Sequence, residues 1–571
     1  MDRCSRSTIY DIILPMSAYW IVLIAGSCFL TAYLTYGRFL GRFMNLSSDS
    51  KTPACEINDG VDYVPTPKGF LLGQHFSAIA AAGPIVGPVL AGVWFGWGPV
   101  LLWVILGAIF FGAVHDFSSM VGSVRHRAKS VVEMVHIFFG RRGYLLFLFF
   151  VWISLIYVII AFADLTSSSF TSPELGGGVA TSSMLYLFLG LAMGICLRFF
   201  KMPVLWATLI FLPLVGLGIW YGQSIPFHLP ALAGLSEGQL WNYLLLFYCF
   251  AASVIPVWLL LQPRGYLGGF FLYAVLAAGL AGLFLGGEKI IYPAFTGWTN
   301  PKGLPLFPLL FVTVACGACS GFHGIVCSGT TSKQIAKETD CRAVGYGGML
   351  LEGLVAVLAL STVMILAKGS PLTGLGPDRI YAEGLSQFVQ HLGIPRDFAR
   401  SFALLAFTTF IYDTLDVATR LARHIFQELT GWKGRRGIVL ATLASLLIPF
   451  LCVSLKVTDT AGQVIPAWKV FWTLFGTSNQ LLAALTLMML SVWLAKSGKP
   501  WLISAIPMGF MMMMTLWSLG LMVQPFIVQL VHGRVIFDAV SVTALLLCAL
   551  ALLLIQEAMI AVRGGRAVSR V

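Results

Sequence analysis

The sequence predicts an all-α integral membrane protein with about fifteen transmembrane helices and a core of two inverted five-helix repeats in helices 2 to 11. Three observations support this fold class: the composition, a long series of apolar runs, and two runs that are interrupted by proline and glycine. Apolar residues make up 58% of the 571 residues, charged residues only 11%, and the mean hydropathy is +0.87. This composition leaves too little polar surface for a soluble protein.

Apolar runs of about 18 residues or more are long enough to cross a bilayer as a helix. The first run lacks the basic leader and cleavage pattern of a signal peptide, so we expect it to be retained as helix 1. Two loop segments, Ser130–Phe139 and Pro377–Leu392, have the amphipathic pattern of helices that lie at the membrane surface. The predicted spans lie near 17–37, 70–92, 98–118, 143–164, 182–199, 203–221, 240–262, 267–286, 305–330, 346–367, 401–424, 437–454, 470–494, 501–523 and 537–560.

The distribution of basic residues between the spans predicts the orientation. Loops 165–181 and 222–238 contain no Lys or Arg, whereas the connection 119–142 is rich in them, as cytoplasmic loops are. Placing 119–142 in the cytoplasm puts the N-terminus outside and the C-terminus in the cytoplasm. The predicted location of the protein is the cytoplasmic (inner) membrane. The same topology explains the net charge of +12 without a nucleic-acid partner, because the basic residues are scattered between spans.

Two spans carry helix-breaking residues at mid-membrane depth. The span 70–92 contains GPIVGP at 83–88, and the span 240–262 contains Pro256. Transporters interrupt helices in this way to expose backbone groups to a substrate or ion, although a kink with tight helix packing is the alternative. As helices 2 and 7, the two spans should run in opposite directions, and we expect their breaks to meet in one central cavity.

This pattern divides the chain into three parts. The prediction is a peripheral helix and cytoplasmic loop over 1–69, the inverted-repeat core over 70–430, and peripheral C-terminal helices over 431–571. No further soluble domain is expected.

Six ordered blocks of sequence resemble one known family. They are HFSAIAAAGPIVGPVLAG at 75–92, GAVHDF at 112–117, SVIPVWLLLQPRGYL at 253–267, SGFHGIVCSGTTSKQIAKETD at 320–340, DVATRLARHIFQ at 416–427 and LFGTSNQLLAAL at 474–485. Together they resemble the carbon starvation protein A (CstA) family, which includes pyruvate transporters and proteins proposed to take up peptides. The chain departs from the pattern at 411–416, where IYDTLD holds an additional acidic residue.

The resemblance implies a secondary transporter with a LeuT-like core that imports a small carboxylate, most simply pyruvate, together with protons. Peptide uptake and sodium coupling remain alternatives, and the oligomeric state stays open. A channel or receptor of the same ancestry, and an intramembrane enzyme, are the alternatives from other classes. A receptor should carry a large soluble output domain, and a metalloenzyme should lose its activity with a chelator.

The predicted substrate site consists of the two breaks and one imidazole on helix 9. Exposed backbone at the breaks and the positive ends of half-helices suit an anionic substrate. The candidate residues are Gly83, Pro84, Gly87, Ser253, Pro256 and His323.

The coupling group must bind and release a proton, or bind Na⁺. A buried carboxylate at Asp413, a lysine at Lys333 or an imidazole at His75 suits a proton, whereas hydroxyl oxygens suit sodium. The hydroxyl candidates are Ser328, Thr330 and Thr331. Structural interpretations stay open, because Ser and Thr also bond back to helix carbonyls, and Lys333 can extend to the membrane surface. Asp416 is interpreted as the ion-pair partner of Arg420.

The predicted inner gate consists of His115 and Asp116 at the cytoplasmic end of helix 3, where Asp116 either pairs with Arg125 or orients a histidine. A proton site is the alternative to a gate. Arg264 is either a gate cation or a positive anchor at the cytoplasmic surface. Asn479 and Gln480 are expected to form hydrogen bonds between helices.

We expect no metal, cofactor or nucleotide. The histidines lack metal-ligand spacing, and a Walker motif is absent from the sequence. Cys316 and Cys319 are interpreted as small packing residues on one helix face.

Overall fold

The computed structural model describes residues 16–59, 62–80, 82–230, 232, 234–256, 258–455, 457–458, 464–532 and 539–563. These residues form helices almost throughout, together with one short antiparallel pair, β1 (Val457–Thr458) and β2 (Val464–Ile465). The first half of the chain contains α1 (Ala18–Leu34), α2 (Tyr36–Phe43), α3 (Pro53–Ile57), α4 (Lys68–Ile79), α5 (Gly83–Phe95), α6 (Trp97–Gly107), a π-helical turn (Ala108–Gly112), α7 (Ala113–Arg125), α8 (Val131–Phe170), α9 (Gly176–Phe199), α10 (Val204–Gly222), α11 (Glu237–Val254) and α12 (Leu261–Gly286).

The second half begins with three short helices, α13 (Leu306–Thr313), α14 (Ala315–Ala318) and α15 (Gly321–Gly329), followed by a 3₁₀ turn (Thr331–Gln334) and a second π-helical turn (Arg342–Tyr346). It continues with α16 (Gly347–Met364), a 3₁₀ turn (Pro371–Gly374), α17 (Pro377–Gln390), α18 (Arg396–Thr430), α19 (Gly434–Ser454), α20 (Ala467–Lys496), α21 (Leu502–Val531) and α22 (Ala539–Arg563).

Within the described residues, twelve helical runs are long and apolar enough to cross a membrane, and the bent pair α4–α5 brings the number to thirteen. The predicted count of about fifteen is not reached by this measure. Two predicted spans fall outside it: α11, whose first turns are polar, and the run α13–α15, which is divided into short pieces.

Contacts define two ends of the helix bundle. At the end that we call the basic end, Arg125 forms an ion pair with Glu338 at 2.6 Å. At the end that we call the opposite end, the Ala18 N–H donates to the Glu288 carbonyl at 2.7 Å. Arg125 also donates to the Met44 carbonyl, just after α2, so the start of α1 lies at the other end of the run Ala18–Phe43. This separation from the loop 119–142 agrees with the charge pattern, whereas the membrane side of each end stays a prediction. The termini 1–15 and 564–571 lie outside the described residues.

The first predicted break exists, but it lies earlier than GPIVGP. The helix ends at Ile79 and restarts at Gly83, and the axes of α4 and α5 differ by 50°. Pro84 occupies the first turn of α5, where a backbone N–H would have no helical partner, so proline starts this helix and does not end it. Of residues 80–82 in the bend, 81 lies outside the described residues.

The second predicted break is wrong. The helix ends at Val254, and Ile255 is extended (φ −73°, ψ 156°), as expected for a residue that precedes proline. Pro256 therefore lies in the connection between α11 and α12, which is a turn between two helices and not a break within one. The interrupted partner is the predicted helix 9, where Cys319 (ψ 108°) and Ser320 (ψ 129°) separate α14 from α15.

Both predicted amphipathic segments form helices. Ser130 and Glu133 form a capping box at the start of α8, and Gly140 (φ +79°) then turns the chain into the long span. The second segment is α17, which packs on α12, α16 and α18.

Candidate functional site

The two interrupted helices pack against each other through glycines. A Cβ added at Gly83 would overlap the Cys316 side chain, and one added at Gly87 would overlap the Thr313 carbonyl oxygen. Any side chain at either position would force α5 away from α13 and α14. GPIVGP therefore brings the backbones of the two interrupted helices together, and Pro84 lies within this contact.

Directly beside this contact, four buried side chains form an imidazole–carboxylate chain. His115 Nδ1 lies 2.8 Å from Asp116 Oδ1, and His323 Nδ1 lies 3.0 Å from Asp116 Oδ2. His323 Nε2 in turn lies 3.2 Å from Glu352 Oε2. None of the four side chains is more than 1% accessible. The chain ties α7 to α15 and α16.

Local structure places His323 in this chain. Ser320 is extended, so α15 begins at Gly321 with unpaired backbone donors, and Asn479 Oδ1 accepts the Phe322 N–H at 3.0 Å. His323 therefore lies in the first turn of a helix whose start is fixed by α20. This contact confirms the predicted interhelical role of Asn479. Gln480 is buried and has no hydrogen-bond partner among the described residues, so its predicted hydrogen bonds are absent.

The predicted gate residues separate in the structure. Because α7 extends to Arg125, nine residues beyond Asp116, the two side chains differ in depth by about 13 Å along the helix. His115 and Asp116 belong to the buried chain, whereas Arg125 lies at the basic end with Glu338. Of the two predicted roles of Asp116, the pair with Arg125 is therefore wrong, whereas the contact with a histidine is present.

Most of the predicted coupling residues on helix 9 form a network of hydrogen bonds next to the chain. His75 Nδ1 lies 2.9 Å from Thr331 Oγ1, which joins α4 to the turn after α15. Ser328 Oγ accepts the Val131 N–H at 2.9 Å and donates to the Gly324 carbonyl, and Thr330 Oγ1 donates to the Val326 carbonyl. Two of these hydroxyls thus bond to carbonyls one helical turn back, as the structural interpretation predicts.

Lys333 lies outside the buried network. Its ammonium nitrogen is 5.5 Å from the centre of the Tyr63 ring, and its side chain is partly accessible at the basic end. This position matches the interpretation in which the lysine extends to the surface.

A second buried cluster joins α12 to α18 through charges. Arg264 Nη2 lies 2.6 Å from Asp413 Oδ1 and 2.7 Å from Asp416 Oδ2, and the Tyr248 hydroxyl donates to Asp416 Oδ2 at 2.9 Å. Arg264 and Asp416 are at most 1% accessible, whereas Asp413 keeps 19% of its side chain accessible. Arg264 is thus a buried cation with two acidic partners and not a surface anchor.

The end of α11 is held by two arginines of α18. Arg420 donates to the carbonyls of Ala252 and Ile255, and Arg423 donates to the Ser253 carbonyl. Arginine therefore satisfies the carbonyls that the end of α11 leaves unpaired. The predicted ion pair of Asp416 with Arg420 is wrong, because Asp416 contacts Arg264.

The structure does not bring Ser253 and Pro256 to the glycines of α5. Ser253 Oγ lies 3.2 Å from Thr442 Oγ1 of α19. The helix α11 packs on α8, α18 and α19. The partners of α5 are α6, α13, α14, α16 and α17. The predicted common cavity is therefore not formed by these two segments.

The half-helix α4 lies between the two buried clusters. His75 on one face reaches Thr331, and a Cβ added at Gly269 of α12 would lie 3.4 Å from the Ser77 hydroxyl on another face. Ser77 is two residues before the end of α4. The end of α4 before the bend therefore contacts the hydrogen-bond network beside the first cluster and the helix α12, which carries Arg264 of the second.

Two acidic residues of the site carried no predicted role. Glu352 is a carboxylate inside the predicted span 346–367, which is itself a signal, because a charge in hydrocarbon is costly. Glu338 holds Arg125, and only the fold could reveal this pairing, since 213 residues separate the two. Among the described residues, no group of three or more His, Cys, Asp or Glu side chains is arranged to hold a metal ion.

A helical bundle with many apolar spans, two interrupted helices in contact and buried charged clusters defines a membrane transporter. Sequence comparison identifies the family to which this transporter belongs. The model of the carbon starvation protein CstA family matches residues 17–373 and 370–518, and the chain belongs to that family.

The chain is 33% identical to the "Peptide transporter CstA" of Helicobacter pylori (strain J99), over 89% of this chain and 82% of that protein. It is 31% identical to the "Pyruvate/proton symporter BtsT" of Escherichia coli K12, again over 89% and 82%. Among solved structures, a manganese transporter from Eremococcus coleocola matches 89% of this chain and 99% of that chain, with 14% identity and a TM-score of 0.45.

Proposed function

We propose that this protein is a secondary transporter that imports a small carboxylate, most simply pyruvate, by proton symport, and that Asp413 carries the proton. Sodium coupling and peptide import are the competing functions. Curated relatives support both substrate classes by name, since one is named a pyruvate/proton symporter and several are named peptide transporters.

The position of Asp413 is the observation that carries this proposal. It is a carboxylate within a membrane-spanning helix that shares its cationic partner with Asp416, yet 19% of its side chain stays accessible. A proton carrier needs both properties. Protons must reach it from outside the protein, and its surroundings must stabilise its negative charge only in part, so that it can also bind a proton. Lys333 lacks this combination, because its ammonium group lies over the Tyr63 ring at the basic end.

The imidazole–carboxylate chain suits a different role. Asp116, His323 and Glu352 are sealed from access, and the His323 imidazole lies within 3.2 Å of both carboxylates. We assign the chain to holding α15 against α7 and α16, so that the interrupted helix keeps its position while other elements move.

The order of the helices supports an inverted-repeat core of the LeuT kind. The Thr66 N–H donates to the Gln334 carbonyl, which places the start of α4 beside the end of α15. The Thr296 N–H donates to the Phe95 carbonyl, which places the end of α5 near the start of α13. The two interrupted helices therefore run in opposite directions.

The elements that follow each interrupted helix correspond in order. Each second span contains a π-helical turn, and an amphipathic helix precedes each third span. We therefore place the repeats at 68–222 and 306–496, with α11 and α12 inserted between them, in place of a core over 70–430. If α11 and α13–α15 also cross the membrane, this arrangement has fifteen spans.

Uptake by proteoliposomes tests this function. The purified protein should accumulate labelled pyruvate when a pH gradient, acid outside, is imposed, and it should ignore a sodium gradient. Accumulation driven only by sodium would refute proton coupling. Uptake of labelled alanylalanine without uptake of pyruvate would reassign the substrate.

A further inference from the structure

The guanidinium of Arg264 is only partly used by its neighbours. Both acidic partners contact the same nitrogen, Nη2. The other two nitrogens, Nε and Nη1, are buried and have no hydrogen-bond partner among the described residues. Buried donors without partners are costly, and a guanidinium presents paired N–H groups that match the two oxygens of a carboxylate. Nε and Nη1 do not pair with each other, because Cδ lies between them, but each forms such a pair with Nη2. A carboxylate can therefore bind at two points once Asp413 leaves Nη2.

We propose that Arg264 binds the carboxylate of the transported molecule, and that this carboxylate replaces Asp413 at the guanidinium when Asp413 takes up its proton. The inference rests on the proposed function and names the recognition site within it. It holds for both substrate classes, because pyruvate and a peptide each end in a carboxylate.

The charges around Arg264 require this exchange. The ionisable and charged groups that face the cluster come from α9, α11 and α18, namely Tyr186, Tyr248, Cys249, Tyr412, Asp413, Asp416 and Arg420. With the tyrosines and the cysteine neutral, two arginines balance two aspartates. A substrate anion would leave an unpaired negative charge in this buried place, which is strongly unfavourable. One proton on Asp413 restores neutrality, so one anion enters with one proton.

Asp413 packs closely against α12. A Cβ at Gly268 would lie 3.0 Å from Asp413 Oδ2 and 3.1 Å from the Tyr186 hydroxyl, so glycine lets the backbone of α12 approach the carboxylate closely. The next residue, Gly269, faces Ser77 near the bend between α4 and α5. The site is therefore beside the interrupted helix at which a substrate is expected.

Equilibrium binding to the full-length protein in nanodiscs tests the inference. The probes are pyruvate and alanylalanine, with methyl pyruvate and alanylalanine amide as partners that lack the carboxylate. We expect the capped compounds to bind about ten-fold or more weakly than the free acids, and pyruvate binding to weaken as the pH rises and Asp413 ionises. Equal binding of capped and free forms, or no binding of either free acid, would overturn the inference.

Two variants locate the site. Arg264→Lys keeps the charge but loses the planar fork, so affinity for the free acids should fall about ten-fold or more. Asp413→Asn is permanently neutral, so pyruvate should bind at every pH at least as tightly as it binds the wild type at low pH. A purely structural ion pair predicts the reverse: weaker binding that keeps its pH dependence. Arg396→Lys, at an exposed position on α18, the helix that carries Asp413, is the matched control and should bind normally.

The outcomes separate this inference from the proposed function. Wild-type affinity in a folded Arg264→Lys variant, with uptake still driven by a pH gradient, would remove Arg264 as the ligand and leave proton symport intact. Uptake driven by sodium would remove proton symport, whatever Arg264→Lys does to binding.

Discussion

The buried charged side chains of this protein occur in groups whose members come from distant parts of the chain. His323 lies between two carboxylates, Asp116 and Glu352, and Arg264 lies between Asp413 and Asp416. A single charge buried without a partner costs several kcal/mol, so each group stabilises the protein only as a set. All members of the first group are sealed, whereas Asp413 of the second keeps 19% of its side chain accessible. This difference separates a structural function from a transport function.

Removal of His323 tests the structural function of the sealed group. His323→Ala leaves Asp116 and Glu352 facing each other without the imidazole, so the variant should lose about 3–5 kcal/mol of stability. Thermal unfolding in detergent measures this loss as a lower Tm. His391→Ala removes a partly exposed histidine that also contacts a carboxylate and should shift Tm little. A variant as stable as the wild type would show that the chain does not hold the three helices together.

Gly87 tests the close contact between the interrupted helices. A Cβ there would meet the Thr313 backbone, which cannot rotate away as a side chain can, so Gly87→Ala should cost about 1–3 kcal/mol and reduce uptake strongly. Gly26→Ala is the matched control, because no atom lies within 4 Å of its added Cβ. Normal uptake by folded Gly87→Ala would mean that the backbones need not approach here.

At the scale of elements, the sequence predicts most helices, both amphipathic segments and one of the two interruptions. Hydrophobic runs and capping residues such as Ser130 are local signals, so they can be recognised without the fold. The break predicted at Pro256 is wrong because proline occurs at the end of a helix as well as at a break within one. Only the direction of the next helix distinguishes these two cases. The true second interruption at Cys319 and Ser320 contains no proline, and the glycines beside it, Gly317 and Gly321, are too common in membrane helices to indicate a break by themselves.

The same limit applies to the candidate site. Residue type picks out His75, His323 and Asp413, because polar groups inside apolar spans are costly, whereas Arg264 lies between two predicted spans and its burial is not predicted. Their partners depend on long-range packing, and neither Glu352 opposite His323 nor Asp413 opposite Arg264 follows from spacing along the chain.

For the whole molecule, the charge pattern predicts that the basic end faces the cytoplasm. A cysteine introduced at Arg141 should resist a membrane-impermeant thiol reagent in intact cells and react after permeabilisation. A cysteine at His391, at the opposite end, should react in intact cells. Both variants should be made in a background without the natural cysteines. The reverse labelling pattern would contradict this topology and reverse the proposed direction of transport.

Proton coupling through Asp413 links the buried cluster to transport by the whole molecule. Asp413→Asn in proteoliposomes should abolish accumulation of pyruvate under a pH gradient and retain exchange of labelled for unlabelled pyruvate, since exchange moves no net proton. Lys333→Gln is the control, and it should accumulate pyruvate normally, because Lys333 lies at the basic end over Tyr63. Normal pH-driven accumulation by Asp413→Asn would contradict the assignment and direct attention to His75 and His323.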